Sequence, residues 1–230
     1  MPLTTLKRFV ALLDYGRALG MALLFVQLSA AQTVFVRGGD VYLTAGGVQR
    51  QVTSTGRDAD AAMSHDRRSI VFVRILQART DASGLGKVVE KSEIDFVDTT
   101  DPALSARVLL NTPVEAAGGK FWWFSSPQYS SDGSVVYFLV RDYSTVSPGV
   151  FSIELQSGRI RFLSDALKFW VVYSGPYEGC LVVWQRPMLV EGGRYDIFNL
   201  LSPSGETRGV VGFSESQILA NFLNYTNGGR

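Results

Sequence analysis

The chain has 230 residues, 46% hydrophobic and 19% charged, with 14 Phe, 9 Tyr and 23 Gly. This length suits one globular domain with a sizeable core, and aromatic residues with frequent glycine favour strands joined by turns. The net charge of +1, with no basic run, excludes the electrostatic pattern of a nucleic-acid-binding protein. Since His65 is the only histidine and Cys180 the only cysteine, an internal disulfide is excluded and neither a metal nor a cofactor is predicted.

Residues 1–31 are predicted to be a signal peptide. Their basic leader is followed by the apolar run Ala18–Leu28, and small residues then precede a cleavage site after Ala31. The alternative is a membrane anchor, but the run is shorter than the roughly 20 residues that cross a bilayer. We therefore expect the chain to be periplasmic or secreted, with no stable membrane span after cleavage.

The first strands are predicted directly after the cleavage site. Thr33–Arg37, Val41–Leu43 and Val48–Thr53 are rich in strand-forming residues, and glycine pairs separate them. Pairs of glycines between short apolar runs are typical of hairpin turns. These residues therefore predict a three-stranded meander.

Three sets of four strands are predicted to follow, beginning near Asp60, Ser126 and Phe169. The last segment allows two interpretations. Gln217–Tyr225 is preferred as a strand that closes the first blade, because a closed ring leaves no exposed sheet edge. Alternatively, Glu215–Leu223 is a short helix with its apolar residues on one face.

A repeat connects these sets. Ser64–Phe72 aligns without a gap on Ser130–Phe138, 66 residues later, and Tyr177–Trp184 is a weaker copy another 46 residues on. A period near 40 to 47 residues with four strands per repeat is typical of a β-propeller. The fold prediction is therefore an all-β propeller of about four four-stranded blades, either closed or open.

The turn of each repeat copy carries residues whose expected role is structural. An aspartate at a turn accepts hydrogen bonds from nearby backbone N–H groups, and glycine supplies a positive φ. Arg67 replaces glycine in the first copy, which predicts a strained turn or another turn type. The residues assigned to the turns are Asp66, Asp132, Gly133, Glu178 and Gly179.

The repeat resembles that of the TolB-like β-propeller family, in which Ser-Pro-Asp-Gly precedes an apolar strand. The resemblance covers about residues 33–212. His65 and Ser131 stand where the family has proline, and the chain is too short for the six blades usual in the family. The resemblance implies that residues 32–230 form a scaffold for protein recognition in the bacterial periplasm. An incomplete ring would allow oligomerisation.

An aromatic segment is the main candidate for binding. Lys120–Phe124 precedes the third blade, and a similar segment, Lys168–Trp170, precedes the fourth. Aromatic rings near the central channel would form a shared platform for a peptide or a sugar, with lysines at its rim. The alternative is that the rings pack between blades. The candidate binding residues are Trp122, Trp123, Trp170, Lys120, Lys168 and Arg57, with Arg141 as a further neighbour.

No catalytic constellation is evident. Ser64, His65 and Asp66 are adjacent in sequence and cannot face one another as a catalytic triad requires. The function predicted is an exported, non-enzymatic binding module for a protein or peptide partner. The first alternative is a carbohydrate-active propeller enzyme, with Asp58, Asp60 and Asp165 as candidate carboxylates. The second is the accessory propeller of a peptidase-type assembly.

Overall fold

Antiparallel strands make up almost all of the fold, as a computed structural model of residues 32–84, 86–116, 119–141, 148–188, 190–216 and 218 shows. The predicted signal peptide lies outside these described residues. No helix in the described ranges is long and apolar enough to cross a membrane. The strands of these ranges are β1 Thr33–Arg37, β2 Asp40–Ala45, β3 Val48–Gln51, β4 Asp58–Met63, β5 Ser69–Thr80, β6 Lys87–Asp98, β7 Ala106–Leu110, β8 Val114–Ala116, β9 Gly119–Phe121, β10 Trp123–Tyr129, β11 Val135–Arg141, β12 Gly149–Glu154, β13 Ile160–Asp165, β14 Lys168–Val171, β15 Leu181–Gln185, β16 Ile197–Leu201 and β17 Thr207–Gly212.

The strands form four consecutive antiparallel sheets, called blades 1 to 4 below. Blade 1 has the order β1-β2-β3, and the next three have the orders β4-β5-β6-β7, β10-β11-β12-β13 and β14-β15-β16-β17. The hairpin β8–β9 connects blades 2 and 3. The predicted all-β propeller of about four blades is confirmed, with three strands followed by three sets of four.

The second strand of blades 2, 3 and 4 contains a continuous apolar run, because both faces of the strand are buried there; the runs are 70–73, 136–140 and 181–183. Consecutive side chains of a strand point to opposite faces of the sheet. In β11, Phe138 and Val140 pack towards blade 2, whereas Tyr137 and Leu139 pack towards blade 4. A strand with alternating polarity would place polar groups in one of these interfaces.

Hydrophobic clusters join the blades in sequence order. The clusters between blades 1 and 2, 2 and 3, and 3 and 4 are centred on Phe72, Phe124 and Phe169, respectively. A fourth cluster covers the far face of blade 4 and includes Phe198. Among the described residues no hydrophobic cluster joins blade 4 to blade 1, and oligomerisation stays a prediction.

The described chain ends on this far face. Glu215, Ser216 and Ile218 have helical backbone, and Ile218 is 2% exposed within the fourth cluster. The Ile218 N–H donates to Ser214 O at 3.3 Å, the spacing of an α-helical turn. The strand preferred for 217–225 is therefore wrong at Ile218, where the helix alternative is correct. The other residues of that segment lie outside the described part.

The connections between strands lie on two opposite faces. In a four-stranded antiparallel blade, the first and third turns share one end, while the second turn and the link to the next blade share the other. A hydrogen bond between blades 1 and 2 joins turns at the same end: the Asp58 N–H of blade 2 donates to Gly39 O of blade 1 at 2.7 Å. The short-turn face carries the turns between β4 and β5 and between β10 and β11. The long-loop face carries 80–87, 111–122 and 186–196.

Two of the repeat turns have the same hydrogen bonds. In each, a serine hydroxyl donates to the aspartate two residues later at 2.6 Å and accepts from the backbone N–H five residues later at 3.0 Å. The serines are Ser64 and Ser130, and the aspartates are Asp66 and Asp132. The donors hold the pKa of both carboxyls below its usual value. Glu178 and Gly179 lie in the turn between β14 and β15.

Arg67 adopts the conformation that glycine has in the equivalent turn, with φ +62° against +73° at Gly133. We predict that Arg67→Gly raises the free energy of unfolding by about 0.5–1 kcal/mol, because relieving left-handed strain exceeds the entropy gained by the unfolded chain. Urea denaturation measures this. The matched change Gly133→Ala should lower stability by about 1 kcal/mol, since a Cβ there meets nothing within 4 Å and only backbone strain is added. A less stable Arg67→Gly variant would contradict this account.

Candidate functional site

The predicted binding residues lie on the long-loop side of the blades. Each occupies a link between blades or an inner strand, and their positions are Arg57 before β4, Lys120 on β9, Trp122 between β9 and β10, Trp123 on β10, and Lys168 and Trp170 on β14. Trp122 and Trp123 are adjacent in sequence and lie at the junction of blades 2 and 3. Trp170 is elsewhere: it packs on Phe198, 6.2 Å between ring centroids, on the far face of blade 4.

Strand register explains why Trp170 does not join the other two rings. Trp170 pairs with Val182 on the face of blade 4 turned away from blade 3, and the corresponding Tyr137 in blade 3 pairs with Gln128. Trp170 therefore occupies the position of Gln128, five residues beyond Trp123. The segments at Lys120 and Lys168 are similar in sequence but differ in strand geometry, because β10 has seven residues and a bulge whereas β14 has four residues.

Trp122 and Trp123 each lie beneath a cation. Lys91 Nζ is 5.1 Å from the centroid of the Trp122 ring, and the Arg141 guanidinium carbon is 5.2 Å from that of Trp123. Trp122 is 38% exposed. Within the described ranges, neither Lys91 nor Arg141 forms an ion pair. We call Lys91 and Trp122 the cation–tryptophan patch. Trp123 and Arg141 are cross-strand partners on the same side of blade 3 as Leu139, which packs towards blade 4.

Ser92 fixes the position of this patch. Its N–H donates to Trp122 O at 2.9 Å, and its hydroxyl both accepts from Phe124 N at 2.8 Å and donates to Phe124 O at 3.1 Å. Ser92 and Phe124 are fully buried. Three hydrogen bonds thus join β6 of blade 2 to the start of blade 3, next to Lys91. The sequence gives no sign of this role, because nothing in the residues next to Ser92 on β6 indicates a contact with blade 3.

The other two tryptophans, Trp170 and Trp184, also lie beneath cations, at 4.7 and 5.2 Å. Their cations are neutralised. Lys168 pairs with Glu215 at 2.9 Å, and Arg186 pairs with a neighbouring aspartate at 2.7 Å. The cation–tryptophan patch differs from these two sites because Lys91 forms no ion pair with any residue that the structure describes.

The remaining predicted cations have weaker claims to a binding role. Lys120 forms an exposed pair with Glu115 at 2.8 Å on the β8–β9 hairpin. Exposed pairs of this kind contribute little stability, typically below about 1 kcal/mol, and this one reduces the charge that Lys120 offers a partner. Arg57 is exposed beside the start of β4.

The three candidate carboxylates lie in separate environments. Asp58 is buried against Arg74, and Asp60 Oδ2 accepts the Ser126 N–H at 2.9 Å. Asp60 and Ser126 occupy equivalent bulges and both have positive φ, +48° and +54°. Asp165 belongs to blade 3. It lines a cavity of about 140 Å³ together with Ala166, Leu167, Gln185, Arg186 and Pro187.

A buried charge cluster lies on the face of blade 2 that packs on blade 1. Arg74 Nε donates to Asp58 Oδ1 at 2.9 Å, and Arg74 Nη1 is 2.5 Å from Asp95 Oδ2. Glu93 is the fourth member. Asp95 is 1% exposed, and its oxygens accept no hydrogen bond from the described residues. Burial therefore raises the pKa of Asp95 to about 6, although Arg74 opposes the shift.

Comparisons with known proteins identify the fold. No family model matches the chain, and no curated protein matches it. Acylaminoacyl peptidase from Pyrococcus horikoshii is 11% identical with a TM-score of 0.50, over 80% of this chain and 30% of that one.

Two further solved structures are similar at lower scores. TolB from Acinetobacter baumannii is 14% identical with a TM-score of 0.37, over 78% of this chain and 50% of that one. The β-propeller domain of the trilobed protease from Pyrococcus furiosus is 11% identical with a TM-score of 0.45, over 74% and 49%. The chain thus spans about half the length of these two structures. At 11% identity the match to the peptidase shows the fold alone, and together with the four blades it identifies the chain as a β-propeller protein.

Proposed function

We propose that the chain is an exported, non-enzymatic module of the TolB-like type that binds a protein or peptide partner at its long-loop face. The observation that carries this proposal is the exposed Trp122, held in place by the buried Ser92. Tryptophan is enriched among residues that dominate binding energy at protein interfaces. A ring fixed before binding loses little conformational entropy when a partner covers it.

Other exposed apolar side chains on the same face support the proposal. Met188, Val190 and Tyr195 share the loop before β16, Leu76 lies within β5, and the four side chains are between 39% and 106% exposed. Exposed apolar groups that lie close together, as in this loop, are typical of interaction surfaces. The short-turn face is instead formed by compact, internally hydrogen-bonded turns such as Ser130–Ser134.

The contacts of the acidic residues favour structural roles over catalysis. A glycosidase needs two carboxylates about 5–10 Å apart across the substrate. Asp58 is engaged by Arg74 and Asp60 by a backbone N–H, so we assign no catalytic residue. In the peptidase-accessory alternative, the partner at the long-loop face would be a separate hydrolase chain.

Peptide selection followed by hydrogen exchange tests the proposal. Peptides selected from a random displayed library on the purified chain should protect amides of 87–92 and 119–124. We predict that Trp122→Ala weakens their binding by at least about tenfold, as loss of a hot-spot tryptophan does.

The matched control is Tyr177→Ala, which removes an aromatic residue that is 46% exposed on the short-turn face. This variant should bind the selected peptides as the unchanged chain does. The proposal would be overturned if the peptides protected only the amides of the short-turn residues 64–68 and 130–134 from exchange. It would also be overturned if Trp122→Ala and Tyr177→Ala weakened peptide binding equally.

A further inference from the structure

We infer that a hairpin arm of blade 2 binds an extended segment of a protein partner, which adds a strand to the edge of β5. The arm consists of residues 76–80 of β5 and 87–90 of β6. This inference goes beyond the proposed function, because it concerns backbone pairing at β5 and needs no contribution from Trp122. It is carried by the exposed edge of β5 beyond the start of its neighbour β4.

The arm extends blade 2 beyond the length that the repeat requires. β5 and β6 have twelve residues each, whereas the equivalent strands of blade 3, β11 and β12, have seven and six. The six-residue β4 pairs with β5 only from Ile70 to Arg74, and one further bond joins the Ile75 N–H to Arg57 O at 2.9 Å. Residues 76–80 lie beyond this pairing, and all five are exposed. At about 3.4 Å per residue they form an edge of about 17 Å.

The backbone at two positions of this edge points away from the hairpin. At the tip of the arm the Asp81 N–H donates to Gly86 O at 2.9 Å, and Thr80 and Lys87 form the next cross-strand pair. Hydrogen-bonded and non-hydrogen-bonded pairs alternate in an antiparallel ladder, so the N–H and C=O groups of Thr80 point outward. Those of Ala78, two residues earlier, point the same way. Among the described residues, no strand other than β6 pairs with Ala78 or Thr80.

The chemistry of the edge specifies an extended chain as its occupant. A row of outward N–H and C=O groups is matched by the backbone of a strand, which is how peptides add to exposed sheet edges. Natural edges are often protected by lysine or proline, and residues 76–80 contain neither. The one charged side chain, Arg79, is already paired across the hairpin with Glu90 at 2.9 Å. Since a two-stranded hairpin alone is marginally stable, a third strand also stabilises the arm.

The probe is the labelled, strand-forming peptide Ser-Thr-Val-Thr-Ile-Thr-Val-Ser. Its control carries N-methyl groups on all six central residues, which removes their N–H donors. We predict that the unmodified peptide binds at least about tenfold tighter in fluorescence anisotropy, because each lost backbone hydrogen bond removes part of the affinity. It should also protect the amides of Ala78 and Thr80 from hydrogen exchange.

Ala78→Pro is the variant that tests the edge itself. Proline has no N–H, and the outward N–H of Ala78 takes no part in the hairpin ladder, so an edge position of this kind tolerates the change. The variant should bind the unmodified peptide at least about fivefold more weakly, while its thermal unfolding midpoint stays within about 4 °C of the unchanged chain. The matched control is Ala78→Ser, which retains the N–H and should bind as the unchanged chain does. Trp122→Ala should also leave this binding unchanged.

The inference is overturned if the N-methylated peptide binds as tightly as the unmodified one, or if Ala78→Ser weakens binding as much as Ala78→Pro does. Protection at the outer strands β7, β13 or β17 in place of Ala78 and Thr80 would overturn it as well. A dimer of the unliganded chain that Ala78→Pro converts to a monomer in light scattering would assign the edge to a second copy instead.

Two outcomes separate this inference from the proposed function. If the unmodified peptide does not bind, strand addition fails, whereas the binding of library-selected peptides at Trp122 is unaffected. If Trp122→Ala abolishes binding of the unmodified peptide, the peptide lies at Trp122, and strand addition at β5 fails while the proposed function stands.

Discussion

Replacing Arg74 with methionine is expected to lower the free energy of unfolding by about 3–5 kcal/mol at neutral pH, because buried charges then lose their partner. Arg74 Nε donates to Asp58 Oδ1 at 2.9 Å, and its Nη1 lies 2.5 Å from Asp95. Both aspartates are at most 3% exposed. Methionine keeps much of the length of the side chain, so the loss of stability measures the removal of the positive charge rather than the creation of a cavity.

The pH dependence of this loss follows from Asp95. Its pKa in the folded chain is raised from 3.8 to about 6, chiefly by burial, so the folded state favours the protonated carboxyl. The stability that Asp95 contributes is therefore fully present below about pH 4 and is lost as the pH rises through 6. Without Arg74, which lowers this pKa, the loss should be greater at pH 8 than at pH 5.

Asp95→Asn is the companion change. It should make the chain more stable than the unchanged protein above pH 6, by about 1–2 kcal/mol, and nearly equal to it at pH 4, since an amide has no charge to bury. Urea denaturation at several pH values measures both variants. Arg79→Met, which removes an exposed arginine from the same strand, should change stability by less than about 0.5 kcal/mol. Equal losses for Arg74→Met and Arg79→Met would contradict a buried cluster.

The repeat architecture was predictable from local patterns. In Ser130–Phe138 a turn residue, a glycine and an apolar strand follow one another, and each is determined by neighbours in sequence. Arg67 shows that the turn persists without glycine, because the Ser64–Asp66 hydrogen bonds remain. Local chemistry therefore predicted the blades and their order.

The candidate site was only partly predictable, because it depends on contacts between distant residues. Trp122 and Trp123 stood out as an aromatic pair, but Lys91 comes from another blade and its place above Trp122 depends on strand register. Trp170 resembled Trp122 in sequence, yet the bulge in β10 shifts that strand relative to β14. A β-bulge changes which residue faces a partner without leaving a clear mark in composition.

Two buried polar residues, Arg74 and Ser92, could not be recognised from the sequence, because their partners are distant in the chain. Arg74 lies in a run of strand-forming residues and reads as a strand end, yet it is 18% exposed and holds two carboxylates. Ser92 is bonded to residues 30 and 32 positions later in the chain. The contacts of Arg74 can be inferred only once the register of three strands of blade 2 is known, and those of Ser92 only once the order of two blades is known.

Ser92→Ala is expected to lower the free energy of unfolding by about 2–3 kcal/mol, since it removes the acceptor of the buried Phe124 N–H and the donor to Phe124 O. A buried backbone group left without a partner costs about 1–3 kcal/mol. Thermal and urea denaturation measure the loss, and Ser105→Ala, at an exposed loop position, should stay within about 0.5 kcal/mol of the unchanged chain.

The same change should also loosen the cation–tryptophan patch. Because Ser92 directly follows Lys91 and bonds the backbone of Trp122, its loss should increase the quenching of tryptophan fluorescence by acrylamide under fully folded conditions. It should also weaken the binding of library-selected peptides several-fold. If Ser92→Ala destabilises the chain but leaves quenching and binding unchanged, the hydroxyl serves the junction of the blades alone. The backbone bond from Ser92 N–H to Trp122 O, which alanine retains, would then be sufficient to hold the patch.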